Sequence, residues 1–134
     1  MEAALVGLTV EVSGTDEPPG KGSVQLSFSD GSIALMQYWR ILTSSRRGLS
    51  NFDQRQKYGL ASPIDAVMQL QEIIGVKAVS DAAFDSRTGD IEFAFETGIE
   101  FHVFNFTGYE VWEVRFVDGT GEYSNNAFES SFDS

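Results

Sequence analysis

Apolar and polar residues alternate along much of this chain with the period of two that marks a β-strand with one buried face. Leu8, Val10 and Val12 alternate with Thr9 and Glu11, and Val24, Leu26 and Phe28 alternate with Gln25, Ser27 and Ser29. Asp30-Gly31 follows, a pair that tolerates positive φ and predicts a tight hairpin into a strand over 33–42. Ala34, Met36 and Tyr38 make the second face of that strand apolar as well, which predicts that another element or subunit covers it. A strand is expected over 76–84. After it come Ile91, Phe93 and Phe95 against Glu92, Ala94 and Glu96, and then Ile99, Phe101 and Val103 beyond the Thr97-Gly98 turn. The last expected strand carries Trp112, Val114 and Phe116 against Glu113 and Arg115.

One stretch changes period. Ile64, Val67, Leu70 and Ile74 recur at helical spacing, with Asp65, Gln69 and Glu72 on the opposite side. Ser62 is expected to cap this helix, Pro63 to take its first position and Gly75 to end it. Residues 43–61 show neither period and read as a long irregular connection with a short helical turn near 51–58; connections of that length in compact domains are often functional. The chain therefore reads as α+β, a mostly antiparallel β-sheet of two similar β-hairpin or meander units with one amphipathic helix inserted between them. Residues 22–31 (GSVQLSFSDG) and 89–98 (GDIEFAFETG) carry the similarity. A duplication and the ordinary likeness of amphipathic hairpins both account for it. Residues 1–121 are expected to form a single domain and 122–134 a polar, acidic tail without periodicity.

Composition narrows the function classes. The absence of cysteine removes disulfides, thiolate metal sites and cysteine nucleophiles, and points to a cytoplasmic address. The start, MEAALVGLTVEV, has no basic region before its apolar residues, and no apolar run approaches the roughly 20 residues of a membrane-spanning helix. Neither a signal peptide nor a membrane partner is expected. Twenty acidic against nine basic residues give a net charge of −11, a field that repels phosphate backbones, so no nucleic-acid partner is expected either. The same charge suits a basic protein partner, and it equally serves plain solubility. Arg46-Arg47 is the only basic doublet and reads as a solvated loop pair.

The chemistry-bearing residues are few. No phosphate-binding glycine loop with its lysine, no G-x-S-x-G elbow and no calcium-loop ligand series is present. His102 is the only histidine, which excludes multi-histidine metal sites and leaves a histidine–carboxylate arrangement with Glu100 as the sole imidazole chemistry. A bystander on the sheet face is the plainer reading, because a general base needs a pocket and a positioned acid. No catalytic residue, cofactor or metal ligand is assigned. Large aromatics crowd two strand ends, Tyr38 and Trp39 at one, Phe104, Phe106, Tyr109 and Trp112 at the other. Core packing accounts for most of them and an interface for the remainder. The candidate partner-binding residues are Tyr38, Trp39, Arg40, Asp53, His102, Phe104, Tyr109, Glu110 and Trp112.

The succession Asp30-Gly31-Ser32, Tyr38-Trp39-Arg40-Ile41, Ser50-Asn51-Phe52-Asp53, Gly89-Asp90-Ile91-Glu92-Phe93 and Gly108-Tyr109-Glu110-Val111-Trp112-Glu113 resembles a group of short bacterial proteins of unknown function. Some members of that group look like immunity proteins encoded near polymorphic toxins. The resemblance implies a bacterial, cytoplasmic protein with no known activity, and it carries no catalytic residue over to any position. The leading expectation is thus a non-enzymatic protein-interaction module, immunity-like, that neutralises a basic toxin. The alternative is a small-molecule-binding domain or minor hydrolase around His102, Glu100 and Asp53. A homodimer paired through an edge strand or the second face of 33–42 is a third.

Overall fold

The computed structural model describes residues 2–15, 21–45, 47–105 and 110–124. Among these, ten strands form one antiparallel sheet: β1 (Thr9–Gly14), β2 (Val24–Phe28), β3 (Ile33–Met36), β4 (Trp39–Leu42), β5 (Gly48–Ser50), β6 (Lys77–Asp85), β7 (Asp90–Phe95), β8 (Ile99–Val103), β9 (Trp112–Arg115) and β10 (Gly121–Tyr123). Their order across the sheet is β10-β9-β3-β2-β1-β6-β7-β8-β4-β5. Two helices join them, α1 (Glu2–Leu5) and α2 (Ala66–Ile74), with single 3-10 turns at Asn51–Asp53 and Glu96–Gly98. The α+β, mainly antiparallel class is therefore as expected, and no described helix is long and apolar enough to cross a membrane.

The alternating residues do face inward. Val24, Leu26 and Phe28 are buried, as are Ile91, Phe93 and Phe95, and Ile99, Phe101 and Val103. The sheet rolls around them. In a flat sheet, β4 and β2 would lie about 24 Å apart, five strand spacings. Instead the indole Nε1–H of Trp39, at the start of β4, donates to the carbonyl of Gly22, just before β2, at 2.7 Å. The indole of Trp112, at the start of β9, likewise reaches the carbonyl of Gly89 beside β7 at 2.8 Å, again across five spacings. Phe28 and Phe93 meet inside at 6.2 Å between ring centroids.

The expected strand over 33–42 is two strands. Gln37 and Tyr38 interrupt it: the Gln37 N–H donates to Val111 O and Tyr38 O accepts from Phe104 N–H. Thus β3 pairs with β2 and β9, whereas β4 pairs with β8 and β5 in the other half of the sheet. Ala34 and Met36 point inward on β3 and Trp39 and Ile41 on β4, so the inward parity changes from even to odd across the break. That phase change is what makes both faces of the stretch apolar in sequence.

The helix cap differs from expectation, and the connection over 43–61 differs in part. The helix is capped by Asp65, whose carboxylate accepts from Met68 N–H at 3.1 Å, and not by Ser62. Ile64 is held outside the helix because its N–H donates to Gln56 O and its carbonyl accepts from Arg55 N–H. The connection over 43–61 contains β5 and the 3-10 turn at Asn51–Asp53, with Ser50 and Asp53 closing a capping box on that turn. Past residue 121 the chain is still in β10, which pairs with β9 through Tyr123, and Ser124 is buried.

Helix α2 lies on β1. Leu70 and Ile74 are fully buried, Gly14 lets Val67 approach so closely that an added Cβ would sit 3.3 Å from it, and Gln71 Nε2 donates to Val12 O. The short α1 lies on β6, with Leu5 fully buried and Gly7 N–H donating to Val79 O.

Candidate functional site

Strand pairing sets one row of side chains across the outer face of the sheet. Arg40 on β4 stands opposite His102 on β8, which stands opposite Glu92 on β7. Glu100 lies two residues from His102 and so shares its face. The inward neighbours Phe101 and Val103 are core residues; His102 is on the opposite face, yet only 7% exposed. It is covered from above. Phe104 meets its ring edge-on at 6.4 Å, and the Arg40 guanidinium lies 5.3 Å from the centre of the Phe104 ring, a cation–π distance. A depression of about 350 Å³ opens beside the cluster, with Ala83, Phe84 and Asp90 among its walls.

Both imidazole nitrogens are engaged. An Arg40 Nη2 lies 2.7 Å from His102 Nδ1, and a guanidinium can only donate, so Nδ1 carries the lone pair. The proton then sits on Nε2 and is donated to Glu100 at 3.1 Å, with Glu92 at 3.4 Å. A general base needs a free lone pair facing the substrate, and here it faces arginine.

Glu92, Glu100 and His102 also bring three potential ligand atoms within 4.8 Å of one another. The donor set does not fit a metal as it stands. Ligation through Nε2 would move the proton to Nδ1, where a ligating histidine normally meets an acceptor. Nδ1 faces the Arg40 donor instead. The cluster is a hydrogen-bonded network in which one cation, Arg40, and two carboxylates, Glu92 and Glu100, hold the imidazole between them.

The other candidate residues are dispersed. Trp39 and Trp112 are core side chains with their indole N–H groups bonded to backbone carbonyls, so neither offers a surface to a partner. Tyr38 is half-buried and stacks on Phe52 at 5.9 Å, the wall of a separate cleft. Asp53 is far from any histidine contact: one oxygen accepts from Ser50 N–H and the other from the Tyr58 hydroxyl, a bond that holds the Tyr58 phenol above its ordinary range. Glu110 is exposed at the rim of a third groove with Glu113 and Arg115. Tyr109, like Phe106 and Arg46, lies outside the described residues. The structure brings together Arg40, His102 and Phe104, and adds Glu92. The position of Glu92 on the same face as Asp90 of β7 was readable, but its neighbour on β8 was not.

No family model, no curated protein sequence and no solved structure matches the chain.

Proposed function

We infer that the chain is a non-enzymatic protein-interaction module, immunity-like, that binds a basic partner through the outer face of β6, β7 and β8. One observation carries this reading. Asp81, Glu92 and Glu100 are all exposed on two adjacent rows of that face, and the small Ala83 and Ala94 between them keep its floor low. The placement of charge along the chain agrees: residues 1–64 hold six acidic and six basic side chains, residues 65–134 fourteen acidic and three basic. The face thus carries a concentrated field that would steer a basic surface toward it. The hydrolase reading has less in its favour, since both His102 nitrogens are engaged and Asp53 is tied to Ser50 and Tyr58. The edge strands β5 and β10 are three residues each, too short to favour a dimer built by edge pairing.

The same reading takes the sheet as two similar units. Outward from the β1–β6 seam the order runs β2, β3, β9, β10 on one side and β7, β8, β4, β5 on the other, so each unit lends its last two strands to its neighbour. Trp39 and Trp112 open the lent strands and bond to the glycines that precede β2 and β7. The residues after β5 and β10, Asn51 and Ser124, are both buried and accept from the backbone at the head of the preceding strand, from Trp39 N–H and Val111 N–H.

The binding reading is tested by co-expressing the chain with the product of the neighbouring reading frame and measuring affinity at rising salt. A complex weakened by salt, and weakened at least about tenfold by Glu92→Lys with Glu100→Lys at unchanged thermal stability, is the expected result. Binding indifferent to both changes would remove the acidic face from the interface.

A further inference from the structure

On the side of the molecule where the 3-10 turn at Asn51–Asp53 meets Tyr38 there is a cleft of about 340 Å³, at the small end of the range that holds small ligands. Its polar walls are Lys21, Ser23, Gln37, Asn51, Gln54 and Gln56. Asn51 is 5% exposed, and its Oδ1 is taken by the Trp39 N–H at 2.8 Å, which fixes the orientation of the amide. Gln54 is oriented the same way: its Oε1 accepts from both Ala66 N–H and Val67 N–H, the free amides of the first turn of α2. Both amides have therefore given up their acceptors to the backbone. Their NH2 groups make no other hydrogen bond among the described residues, and neither is sealed away from the cleft that Asn51 and Gln54 line. Lys21 stands at the same cleft, in no ion pair among the described residues. The Tyr38–Phe52 stack lines the same cleft, with Phe52 59% exposed.

We propose that this cleft binds a small aromatic monocarboxylate, the carboxylate received by Asn51 Nδ2, Gln54 Nε2 and the Lys21 ammonium, and the ring laid on Tyr38 and Phe52. Two side-chain amides presenting only donors, beside one cation, select a group that only accepts, and a carboxylate does so in its ordinary charge state. A single cation on a chain of net charge −11 suits a monoanion better than a phosphate dianion. The site is separate from the acidic face, and neither depends on the other.

The test is an NMR titration of the full chain with phenylacetate, following the side-chain amide signals of Asn51 and Gln54. Saturable shifts of both are expected, with phenylacetamide and phenyl phosphate each at least about tenfold weaker. Gln54→Glu is the informative variant. Its carboxylate still accepts from Ala66 and Val67 at the helix start but replaces the donor by a negative oxygen, so thermal stability should hold or rise while phenylacetate binding is lost. Lys21→Met should weaken binding about fivefold or more. Glu92→Lys should leave it unchanged, which separates this site from the acidic face. Absent or unsaturable shifts, equal binding of the neutral amide or of the phosphate, or full binding by a folded Gln54→Glu variant would each overturn the proposal.

Discussion

The two rows that cross the outer face of the sheet in its two halves make the most instructive comparison in this molecule. In one half the row reads Gln25, Leu35, Glu113 on β2, β3 and β9; in the other it reads Glu92, His102, Arg40 on β7, β8 and β4. Beneath both rows an indole is bonded to a glycine carbonyl. Above them the chemistry diverges. Glu113 pairs along its own strand with Arg115 at 2.7 Å, whereas Arg40 reaches across strands to His102. The inner face answers to packing, which tolerates few alternatives, and the outer face is free to differ. That is where a function specific to one half can reside.

The comparison can be broken at its strongest point first. Trp39→Ala and Trp112→Ala should each cost about 3–5 kcal/mol in denaturant unfolding, because each removes a buried indole and leaves a glycine carbonyl unpaired. Costs differing by more than about 2 kcal/mol would mean that the two halves are not held in the same way.

The glycines that receive those indoles sharpen it next. Gly22 and Gly89 both have positive φ, so alanine is strained at each. An added Cβ at Gly22 would meet the Asn51 carbonyl at 2.9 Å, which is backbone, while at Gly89 it would meet the Asn105 side chain, which can yield only by giving up its bond to Thr88 O. Gly22→Ala and Gly89→Ala should therefore each cost about 2–3 kcal/mol, measured by the same unfolding curves.

Smaller effects test the helix that lies between β5 and β6 in sequence. Asp65→Ala should lose about 1 kcal/mol of stability through the missing cap, and Ser62→Ala should change almost nothing; the reverse order would return the cap to Ser62. His102→Leu, which places on β8 the residue type found at Leu35, should cost no more than about 1 kcal/mol. In the unaltered chain, ¹⁵N spectra of His102 should show the Nε2–H form, and Arg40→Met should remove the donor at Nδ1 and shift that nitrogen's resonance.

The smallest expected effect is in acid. The backbone N–H of Arg87 holds the Asp85 carboxyl below its ordinary value of 3.8, and the Thr120 hydroxyl does the same for Asp118. A folded value below the unfolded one adds stability above the unfolded value and loses it as pH falls through the folded one. Both turns lie in the sequence after α2. Carboxyl titration by NMR should place both midpoints below 3.8, and Asp85→Asn with Asp118→Asn should remove a small part of the stability change in that acid range.

Much of the strand content was legible, because Val24, Leu26 and Phe28, or Ile91, Phe93 and Phe95, obey a period that backbone geometry imposes on any half-buried strand. The break at Gln37-Tyr38 left a trace in the apolar second face of 33–42, but the trace admits several explanations and only one of them is a change of parity. Ser62 was expected as the cap, and the bonds of Ile64 to Arg55 and Gln56 that move the helix start to Asp65 are tertiary. Of the candidate site, Glu100 beside His102 follows from strand alternation alone. Arg40 lies 62 residues away in sequence, and Gln54 reaches α2 across twelve, so neither contact has a local signature.

What the amino-acid sequence by itself determined is which residues turn inward, where the chain turns and how negative its second part is, since these depend on side-chain chemistry and on neighbours one to four positions away. Which strand lies beside which was decided only by the tertiary structure. Every strand presents the same row of N–H and C=O groups, so backbone pairing is indifferent to partner. The choice falls to how the inward side chains fill one rolled core, in which Trp39 and Trp112 cross between halves.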